Sequence, residues 1–253
     1  MCAIKTSMKI LSVEFMSQNK KILGKLHLPD VENPPVVVGS HGLEGSMESA
    51  KQTILSRILP DMGVAFLRFD HRGCGKSEGN FITDTSLEAR VQDMIHAVDY
   101  LWALKKTRKE LMLFGSSLGG ATCIAAWKKL LDLGVEPQGA VVCAAPVDSS
   151  TITIIPTQAT PDRPALPLSF FKENLLFNLS DDLPLMHHVL IFHGDHDGVV
   201  PVENGREIHS KAGEPKKMII HRNGDHQMSE KSHQKEFEKE VKLWVKACFK
   251  STK

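Results

Sequence analysis

Short, uninterrupted apolar runs recur along the chain: Val36-Val37-Val38, Val64-Ala65-Phe66-Leu67, Leu111-Met112-Leu113-Phe114, Ala140-Val141-Val142-Cys143, Val189-Leu190-Ile191-Phe192 and Met218-Ile219-Ile220. Side chains alternate between the two faces of a strand, so a strand with one wet face alternates apolar and polar residues. Runs without that alternation belong in strands covered on both faces, the usual condition of a parallel sheet. Helical patterns separate them. The clearest places Leu87, Val91, Met94, Ile95, Val98, Leu101 and Trp102 on one face, after a Thr85-x-x-Glu88 capping box. The last carries Phe237, Val241, Trp244, Val245 and Cys248 opposite a face of lysines and glutamates. Strands alternating with helices predict an α/β chain with a doubly wound, mostly parallel sheet.

Two further β-type segments open the chain, about Leu11–Met16 and Lys20–Leu28, and the turn-like Ser17-Gln18-Asn19 between them predicts a hairpin. At 253 residues and 42% hydrophobic, the chain is long enough for one large core, and a single domain over 1–253 is expected. The alternation breaks at 147–187, where Pro156, Pro161, Pro164, Pro167 and Pro184 interrupt an apolar stretch. A long insertion in a compact domain is usually functional, so a small lid is expected there; the alternative is a packing layer without contact to substrate.

The 31 basic and 30 acidic residues nearly cancel, which removes the field that draws a chain onto nucleic acid or anionic membrane. A small, fairly neutral partner fits better. The five cysteines are scattered, without CxxC spacing, so neither a disulfide framework nor a zinc site is expected. The opening Met1-Cys2-Ala3-Ile4-Lys5 precedes mixed polar sequence, not an apolar leader, and a cytoplasmic chain is expected.

Gly115-Ser116-Ser117-Leu118-Gly119 has the G-x-S-x-G form, between the run Leu111–Phe114 and the helix-compatible 121–126. A serine on a sharp strand-to-helix turn is held out above the sheet, and flanking glycines let other backbone approach it. A serine hydroxyl is a weak nucleophile, so it needs a base and a group that orients the base. Carboxylates Asp195 and Asp197 follow the run Val189–Phe192, and His221 and His226 follow Met218–Ile220. The order Ser, Asp, His is the one such a fold uses.

These segments resemble the α/β-hydrolase superfamily, particularly its small carboxylesterases of the cinnamoyl or feruloyl esterase-like group. The pattern His-Gly-x-x-Asp-x-Val-Val-Pro falls on His193, Gly194, Asp197, Val199, Val200 and Pro201, so the resemblance assigns the acid to Asp197. The segment Asn223-Gly224-Asp225-His226 before the last helix resembles the family's histidine loop and assigns the base to His226 over His221. His41-Gly42-Leu43 resembles the family's oxyanion loop, which implies the backbone N–H groups of Leu43 and Leu118 as oxyanion donors. Asp70-His71-Arg72-Gly73-Cys74-Gly75-Lys76-Ser77 resembles its Asp-x-Arg-Gly-x-Gly-x-Ser loop. There an arginine and an aspartate tie loops together. Ser116 stands where many relatives carry histidine, and His196 adds a titratable group beside the acid.

Other readings fit less well. Gly73-x-Gly75-Lys76-Ser77 lacks the spacing of a phosphate-binding loop. A metal held by His193, Asp195, His196, Asp197, Asp225 and His226 matches no known ligand spacing, so no metal and no cofactor are expected. A binding protein that has lost its chemistry need not keep serine, acid and base together. The expected activity is hydrolysis of carboxylic esters of small or medium hydrophobic or aromatic substrates through an acyl-enzyme, with thioesters and amides as alternatives.

Overall fold

The computed structural model describes residues 8–159 and 165–250. β1 (Lys9–Ser17) and β2 (Lys20–Leu28) form the predicted hairpin. Its turn residues Gln18 and Asn19 have φ of 45° and 66°, the positive values that match the twist of the flanking strands.

Apart from Val64, which precedes β4, the uninterrupted apolar runs lie in strands: β3 (Val36–Ser40), β4 (Ala65–Phe69), β5 (Leu111–Ser116), β6 (Gly139–Cys143), β7 (Val189–Gly194) and β8 (Lys216–His221). The last is an edge strand, not covered on both faces, and its Ile220 is exposed. The sheet order is β1-β2-β4-β3-β5-β6-β7-β8. β3 to β8 run parallel, and the hairpin joins antiparallel through β2 and β4. Between the strands lie α1 (Ala50–Ile58), α2 (Phe81–Asp84), α3 (Leu87–Leu104), α4 (Leu118–Asp132), α5 (Leu168–Asn174), α6 (Val202–Lys211) and α7 (Lys231–Lys250).

Neighbouring residues of one strand enter different cores. Val36 and Val38 belong to the same core as Met94 of α3, Trp127 of α4 and Ile208 of α6. Val37, between them, packs with Leu55 of α1 and Phe237 and Val241 of α7. Each such side chain contributes about 1.5–3 kcal/mol when fully buried, which is why a central strand such as β3 lacks a polar alternate residue. Because β3 to β8 are parallel, the loops after their carboxyl ends share one edge of the sheet, and those loops hold the candidate residues.

The predicted Thr85-x-x-Glu88 capping box does not form, and the N-cap lies one residue later. The N-cap of α3 is Ser86, which accepts the Ala89 N–H at 3.0 Å. Thr85 is buried and turns its hydroxyl to the Arg72 carbonyl. Glu88 then sits at the second helical position, too early to reach back to the cap, and pairs with Lys129 instead.

Within 147–187, Pro161 and Pro164 lie outside the described residues. The rest serves two environments. Leu166, Phe170, Leu179 and Leu183 join the main core, and Phe170 stacks on Phe81 of α2 at 5.9 Å. Ile154, Ile155, Leu168 and Leu176 are exposed. Ser149 N–H donates to Phe177 O and Thr153 N–H to Val199 O, each at 3.0 Å, so the segment is tied both to itself and to the loop after β7. No helix among the described residues is long and apolar enough to cross a membrane.

Candidate active site

β5 ends at Ser116 and α4 begins at Leu118, which leaves Ser117 alone to turn the chain. Its backbone has φ 56° and ψ −126°, a conformation that costs a non-glycine residue about 1–3 kcal/mol. Ser117 N–H donates to Cys143 O and Gly120 N–H donates back to Ser117 O, each at 2.8 Å. The glycines are needed for close approach. A Cβ on Gly115 would lie 2.2 Å from Gly119 O, and one on Gly119 would lie 2.2 Å from Ser40 O.

The loops that carry Asp197 and His226 meet through another close contact. A Cβ on Gly194, at the end of β7, would lie 2.0 Å from Gly224 O in the loop after β8. That packing places His226 between the other two side chains. Its Nδ1 is 2.8 Å from Asp197 Oδ2 and its Nε2 is 3.0 Å from Ser117 Oγ. Asp197 Oδ1 accepts the Val199 and Val200 N–H groups, each at 2.9 Å. His193 Nε2 donates to Val200 O at 2.9 Å and lies 3.4 Å from Asp197 Oδ2. Burial works against the Asp197 carboxylate, but hydrogen bonds from His193, His226 and the Val200 N–H hold it well below the usual carboxylate range. An ionised Asp197 accepts the Nδ1 proton of His226 and leaves the Nε2 lone pair facing the Ser117 hydroxyl.

The alternatives left by the sequence are spatially separate. Asp195 pairs with the exposed His196 at 2.8 Å. His221 is buried, stacks on His233 with ring centroids 4.4 Å apart, and has Nε2 3.3 Å from Glu236. Asp225 accepts the Ser229 N–H at 2.8 Å. Ser116 lines the same cavity as Ser117.

Gly42 packs against the serine: a Cβ built on it would be 3.4 Å from Ser117 Cβ and 4.0 Å from Oγ. Among the described residues, neither the Leu43 nor the Leu118 N–H donates to a protein acceptor. Both residues border a cavity of about 680 Å³ that also contains Ser117 and His226. Its walls are mostly apolar, with Ile152, Ile154, Phe171, Leu175 and Phe177 from the 147–187 segment, and Lys51 and Lys172 are among its charged residues.

Arg72 and Asp70 each tie loops together, though not to one another. Asp70 accepts the Met47 and Lys76 N–H groups at 2.7 and 2.9 Å. Arg72 reaches Asp93 of α3, with Nε and Nη2 at 2.9 and 2.7 Å from Oδ1. Burial opposes the Asp93 carboxylate, but hydrogen bonds from His71 and Arg72 bring it down to about 2. A depressed folded pKa stabilises the fold above the unfolded carboxylate value of 3.8 and is lost as pH falls toward about 2. Asp93→Asn is therefore expected to cost about 3–5 kcal/mol at pH 7, because the Arg72 charge loses its partner. The deficit against the native chain should shrink between pH 5 and pH 2 in urea unfolding. A deficit independent of pH would show that the ion pair is not its source.

Asp93 and its neighbour Arg90 were not singled out in the sequence. Both fall on the apolar face of α3, where a charge must find a buried partner, and that placement was the available signal.

Residues 32–164, just over half of the chain, match the model of the serine aminopeptidase S33 family. The match covers the Leu43 and Ser117 loops and ends before Asp197 and His226, which the fold supplies. YfhR of Escherichia coli K12, described as uncharacterized, is 30% identical over 223 residues, 85% of this chain and 72% of its own length. The chain belongs to the α/β-hydrolase superfamily. Other similar hydrolases include mouse palmitoyl-protein thioesterase ABHD10, 28% identical over 218 residues, 78% of this chain and 71% of its own. Among solved hydrolase structures, Est1E of Butyrivibrio proteoclasticus with ferulic acid superposes with a TM-score of 0.76 at 21% identity, over 91% of this chain and 98% of Est1E. At that identity the likeness concerns the fold.

Proposed function

We propose that this hydrolase is a serine esterase acting on carboxylic esters with hydrophobic or aromatic acyl groups. The observation that carries the reading is the continuous pair of hydrogen bonds from Asp197 through His226 to Ser117, opening on a largely apolar cavity. His226 accepts the Ser117 proton as Oγ attacks the carbonyl carbon, and the carbonyl oxygen takes up the electron pair. The Leu43 and Leu118 N–H groups receive that charge; loss of one such donor typically costs about 2.7–4 kcal/mol. His226 then passes its proton to the departing alcohol, and water reverses the sequence on the acyl-enzyme. No cofactor is required by this chemistry, and the substrate is a small molecule.

A panel of p-nitrophenyl esters of increasing acyl length, with a feruloyl ester, a thioester and an anilide, tests the reading. Each methylene that enters the apolar cavity is worth about 0.8 kcal/mol, so kcat/KM should rise about fourfold per methylene until the cavity is full. A fluorophosphonate should label Ser117 with or without chelator. Folded protein that is neither labelled nor hydrolytic would return the chain to the binding-protein reading. Higher kcat/KM for thioesters would move the assignment to thioesterase, the activity named for mouse ABHD10.

A further inference from the structure

The Leu43 N–H and the Gly42 carbonyl belong to one planar peptide unit, so the groups that hold the carbonyl also aim the N–H. Gly42 O receives three donors. His41 Nδ1 is 2.7 Å away, Arg90 Nη2 3.2 Å and Gly45 N 3.2 Å. Arg90 Nη1 also donates to His41 O at 3.1 Å, so the guanidinium spans two successive carbonyls of the loop.

The surrounding hydrogen bonds assign the protons. His41 Nε2 accepts the His71 N–H at 3.1 Å, so the neutral ring carries its proton on Nδ1 and donates it to Gly42 O. The 3.0 Å approach of Arg90 Nη2 to His41 Nδ1 is then a contact between two donors. Burial holds His41 well below the ordinary histidine value and brings His71 to about 4, which keeps both rings neutral. Arg90 itself has no exposed surface, and a buried cation needs strong acceptors to be tolerated.

We infer that Arg90 is a positioning residue for ester cleavage, holding and polarising the Gly42–Leu43 peptide so that the Leu43 N–H donates more strongly to the oxyanion. The inference rests on the esterase reading above. A hydrogen bond accepted by an amide carbonyl strengthens the donor at the other end of that amide, and a charged donor does so more than a neutral one. The effect grows as negative charge develops on the substrate oxygen, so it belongs to the transition state and leaves substrate binding alone.

Arg90→Lys keeps the charge and removes the two-pronged hold. It is expected to lower kcat for a p-nitrophenyl ester by about 10- to 100-fold at unchanged KM, a weakened rather than deleted oxyanion donor. The corresponding thionoester separates this from general damage, because its sulfur is a poor hydrogen-bond acceptor and gains little from the Leu43 N–H. The ratio of ester to thionoester turnover should therefore collapse by the same factor. Equal losses on both substrates, or native kcat on the oxygen ester, would overturn the role of Arg90. Failure of the native protein to hydrolyse either ester or to be labelled at Ser117 would instead remove the esterase reading beneath it. Should Arg90→Lys not fold by circular dichroism, Arg90→Gln keeps an amide donor at this position without the charge, and the same two outcomes decide.

Discussion

Ser117→Ala is expected to lower kcat for a p-nitrophenyl ester by about 10⁶-fold, the scale of loss when a nucleophilic serine that acts as a unit with its base is removed. The substitution removes one oxygen whose hydrogen-bond partner is His226 Nε2, on a side chain 20% exposed, so water can replace it there. Alanine must adopt the same positive φ as serine and carries no larger side chain, so the turn is no more strained than before. Unfolding free energy should consequently stay within about 1 kcal/mol of the native chain. Steady-state kinetics and urea unfolding on the same preparation check both halves. Retention of most turnover would exclude Ser117 as nucleophile.

Asp197→Asn is expected to reduce kcat by about 10⁴-fold with little change in KM. The reason lies in which oxygen does what. Oδ1 accepts two backbone N–H groups, from Val199 and Val200, so an asparagine at this position keeps its carbonyl oxygen there. Its amide nitrogen then takes the place of Oδ2, 2.8 Å from His226 Nδ1, and presents a donor to it. His226 must answer with a lone pair on Nδ1 and a proton on Nε2, the wrong tautomer to accept from Ser117. Fluorophosphonate labelling of Ser117 should slow together with kcat. An Asp197→Asn variant with native labelling rate would mean that the carboxylate does not orient the base.

The sheet was legible in the sequence because burial on both faces leaves a compositional mark. Val36-Val37-Val38 can be uninterrupted only if Val37 faces a different apolar layer from its neighbours, and the structure shows that separation. The Ser117 turn was legible for a related reason, since Gly115 and Gly119 stand where any Cβ would strike backbone. The cap of α3 was misplaced by one residue because Thr85 and Ser86 offer equivalent hydroxyls. The choice fell to Thr85 being drawn into the core beside Arg72. The partner of Arg72 was likewise hidden: Asp70 is two residues away in sequence, yet Asp93 lies across the gap between loop and helix.

Residue order and patterning by themselves determined the α/β alternation, the hairpin and the position of a strained serine between strand and helix. These follow from local rules: period, turn chemistry and the space a Cβ needs. The motif resemblance already assigns Asp197 over Asp195 and His226 over His221. Only the tertiary structure decided that Arg72 pairs with Asp93, that His221 stacks on His233, and that Arg90 grips the Gly42 peptide. Those choices depend on how loops from separate strands pack at one sheet edge. A buried hydrogen bond must be satisfied by whatever group that packing brings within about 3 Å.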